Sequence, residues 1–191
     1  GTVNLLAIVA DTKQQQCVLV DDGGLRLITA AGKVVWTRAA AGALIGSGDL
    51  RGDGGRFALF GGGPRLTLID LATGKEFWRH LFQPAHVTAR AIVADILADR
   101  PGLEAAVFLQ HGEEACLVSF PPDAAPEVIW QRRVVEGEFN ERYDHRCDIE
   151  LDLSDPDEPL IWNVRRFRCR GYDARTGKMV STLTYEIGGA P

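Results

Sequence analysis

The chain has 191 residues, 46% of them hydrophobic and 25% charged, which is enough apolar material for a substantial core. Its formal net charge of −5 argues against nucleic acid or an anionic lipid surface as partner, because both reward clustered positive charge. No apolar run approaches the ~18–20 residues of a membrane-spanning helix, and Gly1-Thr2-Val3-Asn4 lacks the basic start of a signal peptide. The expectation is a chain without a transmembrane segment that stays where it is made or has lost a leader.

Short runs of Val, Ile, Leu and Phe, bounded by Gly, Pro or Asp, follow one another along the chain; they have strand composition and are too brief for helices. Residues 5–10 run into Asp11 and are followed by runs at 17–20, 25–28 and 32–36, the last closing on Trp36. Residues 43–48 lead to Asp49, and runs at 57–60, 65–69 and 74–78 close on Trp78. The order returns with residues 91–94 before Asp95, then 104–109, 115–120 and 127–130, closing on Trp130. A fourth round begins at 147–151 before Asp152 and continues through 160–164, 167–173 and 177–182, with Ser181 where the others carry tryptophan.

The marker aspartates recur at intervals of roughly 40 to 60 residues, the size of one supersecondary unit. Such a unit, a four-stranded antiparallel sheet, buries little by itself and needs a neighbour stacked on its face. Trp36, Trp78 and Trp130 would then pack as large plates between adjacent sheets.

Candidate chemistry is sparse. His80, His86, His111 and His145 fall in different units, and no Ser/His/Asp or Cys/His set has a recognisable local context, so no catalytic and no cofactor-binding residue is expected. Cys17, Cys116, Cys147 and Cys169 form no CxxC pair, which argues against a zinc ribbon or a thioredoxin-type centre. The basic run Arg165-Arg166-Phe167-Arg168-Cys169-Arg170 alternates, so Arg166, Arg168 and Arg170 share one strand face opposite Phe167 and Cys169. That stripe suits an acidic partner protein or, second to it, a sulfated or phosphorylated ligand. The acidic loop between Glu136 and Asp144 offers Phe139 and Tyr143 as contact anchors.

Two family resemblances attach to these residues. The stretch Gly48-Asp49-Leu50-Arg51-Gly52-Asp53-Gly54-Gly55-Arg56-Phe57 resembles the turn of the FG-GAP (VCBS, integrin-like) propeller repeat. Leu68-Ile69-Asp70-Leu71-Ala72-Thr73-Gly74-Lys75-Glu76-Phe77-Trp78 resembles the PQQ-like, quinoprotein-type repeat; Tyr172-Asp173-Ala174-Arg175-Thr176-Gly177-Lys178 repeats it, and residues 29–36 shorten it. Both imply an all-β chain of four β-propeller-type blades at about 1–40, 41–85, 86–136 and 137–191. These would make a single domain that is either a closed four-bladed ring or a segment of a larger propeller.

The FG-GAP resemblance further implies Ca²⁺ at acidic turns. Here Arg51 stands at a ligand position and Phe57 replaces the closing acid, and only Asp152, Ser154, Asp155 and Asp157 keep an acid-rich set, so a calcium ion is expected there if anywhere. The positions of a quinoprotein cofactor cannot be matched onto the chain. The reading that follows is a non-catalytic binding or scaffold module, periplasmic or extracellular as the resembled families mostly are, joined to another protein subunit or to a second copy completing a ring. The alternative is the propeller portion of a polysaccharide-active protein or a quinoprotein-type oxidoreductase.

Overall fold

The computed structural model describes residues 7–11, 16–21, 24–39, 42–82, 88–109, 114–133, 148–164 and 168–184. Among them every regular element is a strand, and no helix is long and apolar enough to cross a membrane.

The first sheet contains β1 (Ala7–Asp11), β2 (Gln16–Asp21), β3 (Gly24–Thr29) and β4 (Val34–Arg38). The second contains β5 (Ala43–Gly48), β6 (Phe57–Gly62), β7 (Arg65–Asp70) and β8 (Glu76–Leu81). The third runs through β9 (Thr88–Ala94), β10 (Glu104–Leu109), β11 (Glu114–Ser119) and β12 (Glu127–Arg133), and the fourth through β13 (Asp148–Asp152), β14 (Leu160–Val164), β15 (Arg168–Asp173) and β16 (Met179–Thr184). Each sheet is an antiparallel meander whose spatial order is its chain order. The all-β class, with four four-stranded antiparallel sheets, is thus as the sequence indicated.

The sheets are built alike down to their irregularities. The outermost pair of every sheet shifts register at one corresponding place: after Leu27, Leu68, Leu117 and Gly171. Just before the shift, Leu27 faces Trp36, Leu68 faces Trp78 and Leu117 faces Trp130, whereas Gly171 faces Ser181. Register therefore places Ser181 at the tryptophan position. In that sheet the bulk has moved inward along the same cross-strand row, since Trp162 of β14 pairs with Gly171 and a Cβ on Gly171 would lie 3.1 Å from its ring.

The chain divides into two compact units, residues 1–87 and 88–191. In the first unit Leu25 and Leu27 of β3, with Trp36, meet Leu44, Ala58, Phe60, Ile69 and Leu71 of the second sheet. In the second unit Ala106, Phe108, Ala115, Leu117 and Trp130 of the third sheet meet Ile161, Tyr172 and Ala174 of the fourth. Each sheet thereby covers an apolar face that its neighbour could not hide from water alone.

One local device locks both units. In the hairpin after β7, Asp70 accepts hydrogen bonds from the backbone N–H of Ala72 and the hydroxyl of Thr73, both at 2.8 Å, and its carbonyl accepts from Gly74 N–H at 2.8 Å. Asp173 plays the same part for Thr176 and Gly177 after β15. Gly74 and Gly177 take φ of 70° and 67°, which a side chain would strain. The freed space receives an indole: Trp36 donates its Nε1–H to the Leu71 carbonyl at 3.2 Å, and Trp130 donates to the Ala174 carbonyl at 2.7 Å. The Asp-x-x-Thr-Gly-Lys turn is thus a seat for the preceding sheet's tryptophan.

Candidate functional site

In the turn after β5, Asp49 accepts from the backbone N–H of Asp53 at 3.1 Å and of Gly54 at 2.9 Å, while Asp53 accepts from Gly55 N–H at 2.8 Å. Arg51 is buried beside them, its Nε 3.3 Å from Asp53 Oδ2 and its guanidinium 4.5 Å from the Phe77 ring centre and 5.7 Å from that of Phe57. The turn carries its own cation, held between a carboxylate and two aromatic faces.

Asp152 spends its carboxylate on Ser154, accepting from the hydroxyl at 2.6 Å and from the backbone N–H at 3.2 Å. These bonds, the hydroxyl first, hold its pKa below the ordinary 3.8. Asp155 accepts from Asp157 N–H at 2.9 Å. As arranged, the turn does not fit calcium, which wants six to eight converging oxygens: among the described residues no three acidic, histidine or cysteine side chains gather as a metal site.

In the third sheet the corresponding turn holds a carboxylate that sequence reasoning passed over. Glu104 is fully buried at the start of β10; its Oε2 accepts from the backbone N–H of Ile96 and Leu97, both at 3.1 Å, and its Oε1 from the Ser119 hydroxyl at 3.2 Å. Burial lifts its pKa above the ordinary 4.5, against the lowering effect of those donors. The signal was a lone Glu opening the apolar strand Glu104-Ala105-Ala106-Val107-Phe108-Leu109.

Of the basic stripe, Arg166 lies outside the described residues, Arg168 is placed only as the first residue of β15, and Phe139 and Tyr143 also lie outside. Arg170 is described, half-buried, and it is not on a free face. It shares strand parity with Tyr172, which belongs to the core between the third and fourth sheets, and Cys169 on the opposite face is buried as well. Arg170 lines a cavity of about 330 Å³ together with Arg132 and Arg133 from β12, Tyr172 and Met179 from the fourth sheet, and Lys178 from the hairpin between β15 and β16. Sequence reasoning missed those companions, since residues about forty positions apart meet only through the stacking.

The cysteines stand apart from this cluster. Cys17, Cys116 and Cys169 form no disulfide among the described residues, and burial pushes the Cys116 thiol far above its ordinary range; Cys147 and His145 lie outside the described residues.

No family model matches the chain, and no curated protein does. Solved structures do match it. BamB from Moraxella catarrhalis is 13% identical with a TM-score of 0.55, the match covering 99% of this chain and 55% of BamB. The β-propeller domain of Myceliophteria thermophila Cps50 (Swd1) is 14% identical with a TM-score of 0.54, at 97% and 58% coverage. Sqt1 of Saccharomyces cerevisiae is 11% identical with a TM-score of 0.60, at 96% and 48% coverage. The shared feature is the β-propeller fold. This chain spans about half to three-fifths of the length of those structures, and identities this low carry the fold and nothing of the activity.

Proposed function

We propose that this chain is a non-catalytic β-propeller binding module that docks an acidic protein subunit within a larger extracytoplasmic assembly. The observation that carries this reading is the cationic rim at Arg170: Arg132, Arg133, Arg170 and Lys178 line one cavity, and no carboxylate is among its lining residues. Stacked sheets hold Arg132, Arg133 and Arg170 on rigid strands, which suits recognition by complementary charge. Arg166 and Arg168 extend the stripe in sequence, with Phe139 and Tyr143 as aromatic anchors. An extracytoplasmic setting follows from the resemblance to the FG-GAP and PQQ-like repeats, and a second copy of the chain is the other subunit this reading admits.

The test is cross-linking with mass spectrometry from the native source, comparing wild type with Arg170→Glu and Arg166→Glu. A specific acidic partner captured by wild type and lost with either variant is the expected outcome. Recovery of monomer alone, together with turnover of a substrate by the isolated chain, would refute the proposal.

A further inference from the structure

The two sheet-to-sheet contacts can be superposed residue by residue, because register and the Asp-x-x-Thr-Gly-Lys turn fix the correspondence. Two residues after the docked tryptophan stands Arg38 in the first unit and Arg132 in the second. One residue after the turn lysine stands Glu76 in the first and Met179 in the second. In the first unit this pair closes the rim: Arg38 reaches Glu76 Oε2 at 3.1 Å and the Gly74 carbonyl at 3.1 Å, and Arg79 holds the other carboxylate oxygen at 2.9 Å.

In the second unit the acid is gone. Met179 replaces Glu76, Thr182 replaces Arg79, and β15 brings Arg170 where β7 has Thr67. Arg133, where the first unit has Ala39, adds one more cation beside Lys178, the counterpart of Lys75, and the ion pair of the first unit gives way to an open cavity of about 330 Å³. Among the described residues none of Arg132, Arg133, Arg170 and Lys178 has an ion-pair partner. Four cationic residues around one cavity raise the local potential and favour an anion of more than one charge.

We propose that this cavity binds a small phosphate monoester. Such a group carries about −1.5 to −2 charges near neutral pH and three strong acceptor oxygens. Guanidinium forks bind tetrahedral oxyanions in pairs, and Lys178 adds a mobile point charge. A single carboxylate would leave most of the positive charge uncompensated. The volume lies at the small end of ligand pockets, roughly 300–1,000 Å³, and Tyr172 and Met179 supply an apolar wall for the compact body that carries the phosphate. The assignment goes beyond docking of an acidic protein and does not need it, although the same four cationic residues serve both.

Isothermal titration calorimetry on the whole chain at low salt tests it, with glycerol phosphate as the probe and glycerol as the control. Saturable binding of glycerol phosphate alone is expected, strengthening as pH rises through about 6, where the second phosphate proton leaves. Met179→Glu restores the acid of the first unit opposite Arg132, so it is expected to weaken binding by about tenfold or more while the thermal midpoint holds or rises. Arg132→Gln is expected to act in the same direction, and serves should Met179→Glu fail to fold. Absence of saturable binding, wild-type affinity in Met179→Glu or Arg132→Gln, or affinity that ignores pH would overturn the proposal. No partner protein enters this measurement, so it can fail or succeed apart from the docking reading.

Discussion

Gly177 lies against the indole of Trp130 so closely that a Cβ there would come within 2.8 Å of the ring, and Gly74 stands in the same relation to Trp36 at 2.6 Å. A glycine is needed twice over, by its positive φ and by the plate above it. Gly177→Ala is expected to cost about 2–4 kcal/mol, the backbone strain adding to the displacement of a buried ring. Trp130→Ala is expected to cost about 3–5 kcal/mol and to leave the Ala174 carbonyl without its donor. Urea unfolding measures both; a Gly177→Ala midpoint equal to wild type would mean that the indole is not seated there.

Arg51 provides the second prediction. Its guanidinium covers Phe77 and neighbours Asp53, so Arg51→Lys keeps the charge yet loses the planar stacking. A loss of about 1 kcal/mol is expected for Arg51→Lys and about 1–2 kcal/mol for Arg51→Ala, where the aromatic faces are uncovered too. Equal stability of all three proteins in urea would show that the stacking contributes nothing.

The strands, their grouping into four sheets and the tryptophan row were legible in the sequence because each rests on local chemistry. Apolar runs, Asp-x-x-Thr-Gly-Lys turns and the substitution of Ser181 can all be counted along the chain. The cavity was not legible. Alternation told that Arg170 and Cys169 face opposite ways, but not that the Arg170 side is the one packed on the third sheet beside Tyr172. Arg132 and Arg133 lie beyond the run that closes on Trp130 and carry no local signal that stacking brings Arg170 beside them. Glu104 was hidden for a different reason: its partners, the N–H groups of Ile96 and Leu97, belong to a turn whose sequence shows no special pattern.

The turn at Asp152 bears on calcium. Since the Ser154 hydroxyl and N–H hold the Asp152 carboxylate ionised, its folded pKa lies below 3.8. Its stabilising effect is present above that value and fades as pH falls through the lowered one. Ser154→Ala is expected to move the Asp152 titration, followed by NMR, back up toward 3.8. Millimolar calcium is expected to leave the thermal midpoint where it was; a rise that disappears in Asp152→Asn would instead make this turn an ion site.

Glu104 has the opposite sign. Its folded pKa is raised above 4.5, so the folded chain holds this proton more tightly than the unfolded one. Stability from this group is therefore greatest below about 4.5 and is lost as pH rises through the raised value. Glu104→Gln keeps an oxygen for Ile96 and Leu97 and an amide for the Ser119 hydroxyl while removing the charge. It should match wild type at low pH, gain on it as pH rises, and run parallel once the wild-type carboxyl has ionised. Glu104→Ala leaves two buried backbone N–H groups without an acceptor and is expected to lie about 2–4 kcal/mol below Glu104→Gln at every pH. Urea midpoints of the three proteins between pH 4 and 8 decide the matter: a constant offset between wild type and Glu104→Gln across that range would mean that the buried carboxyl keeps its ordinary pKa.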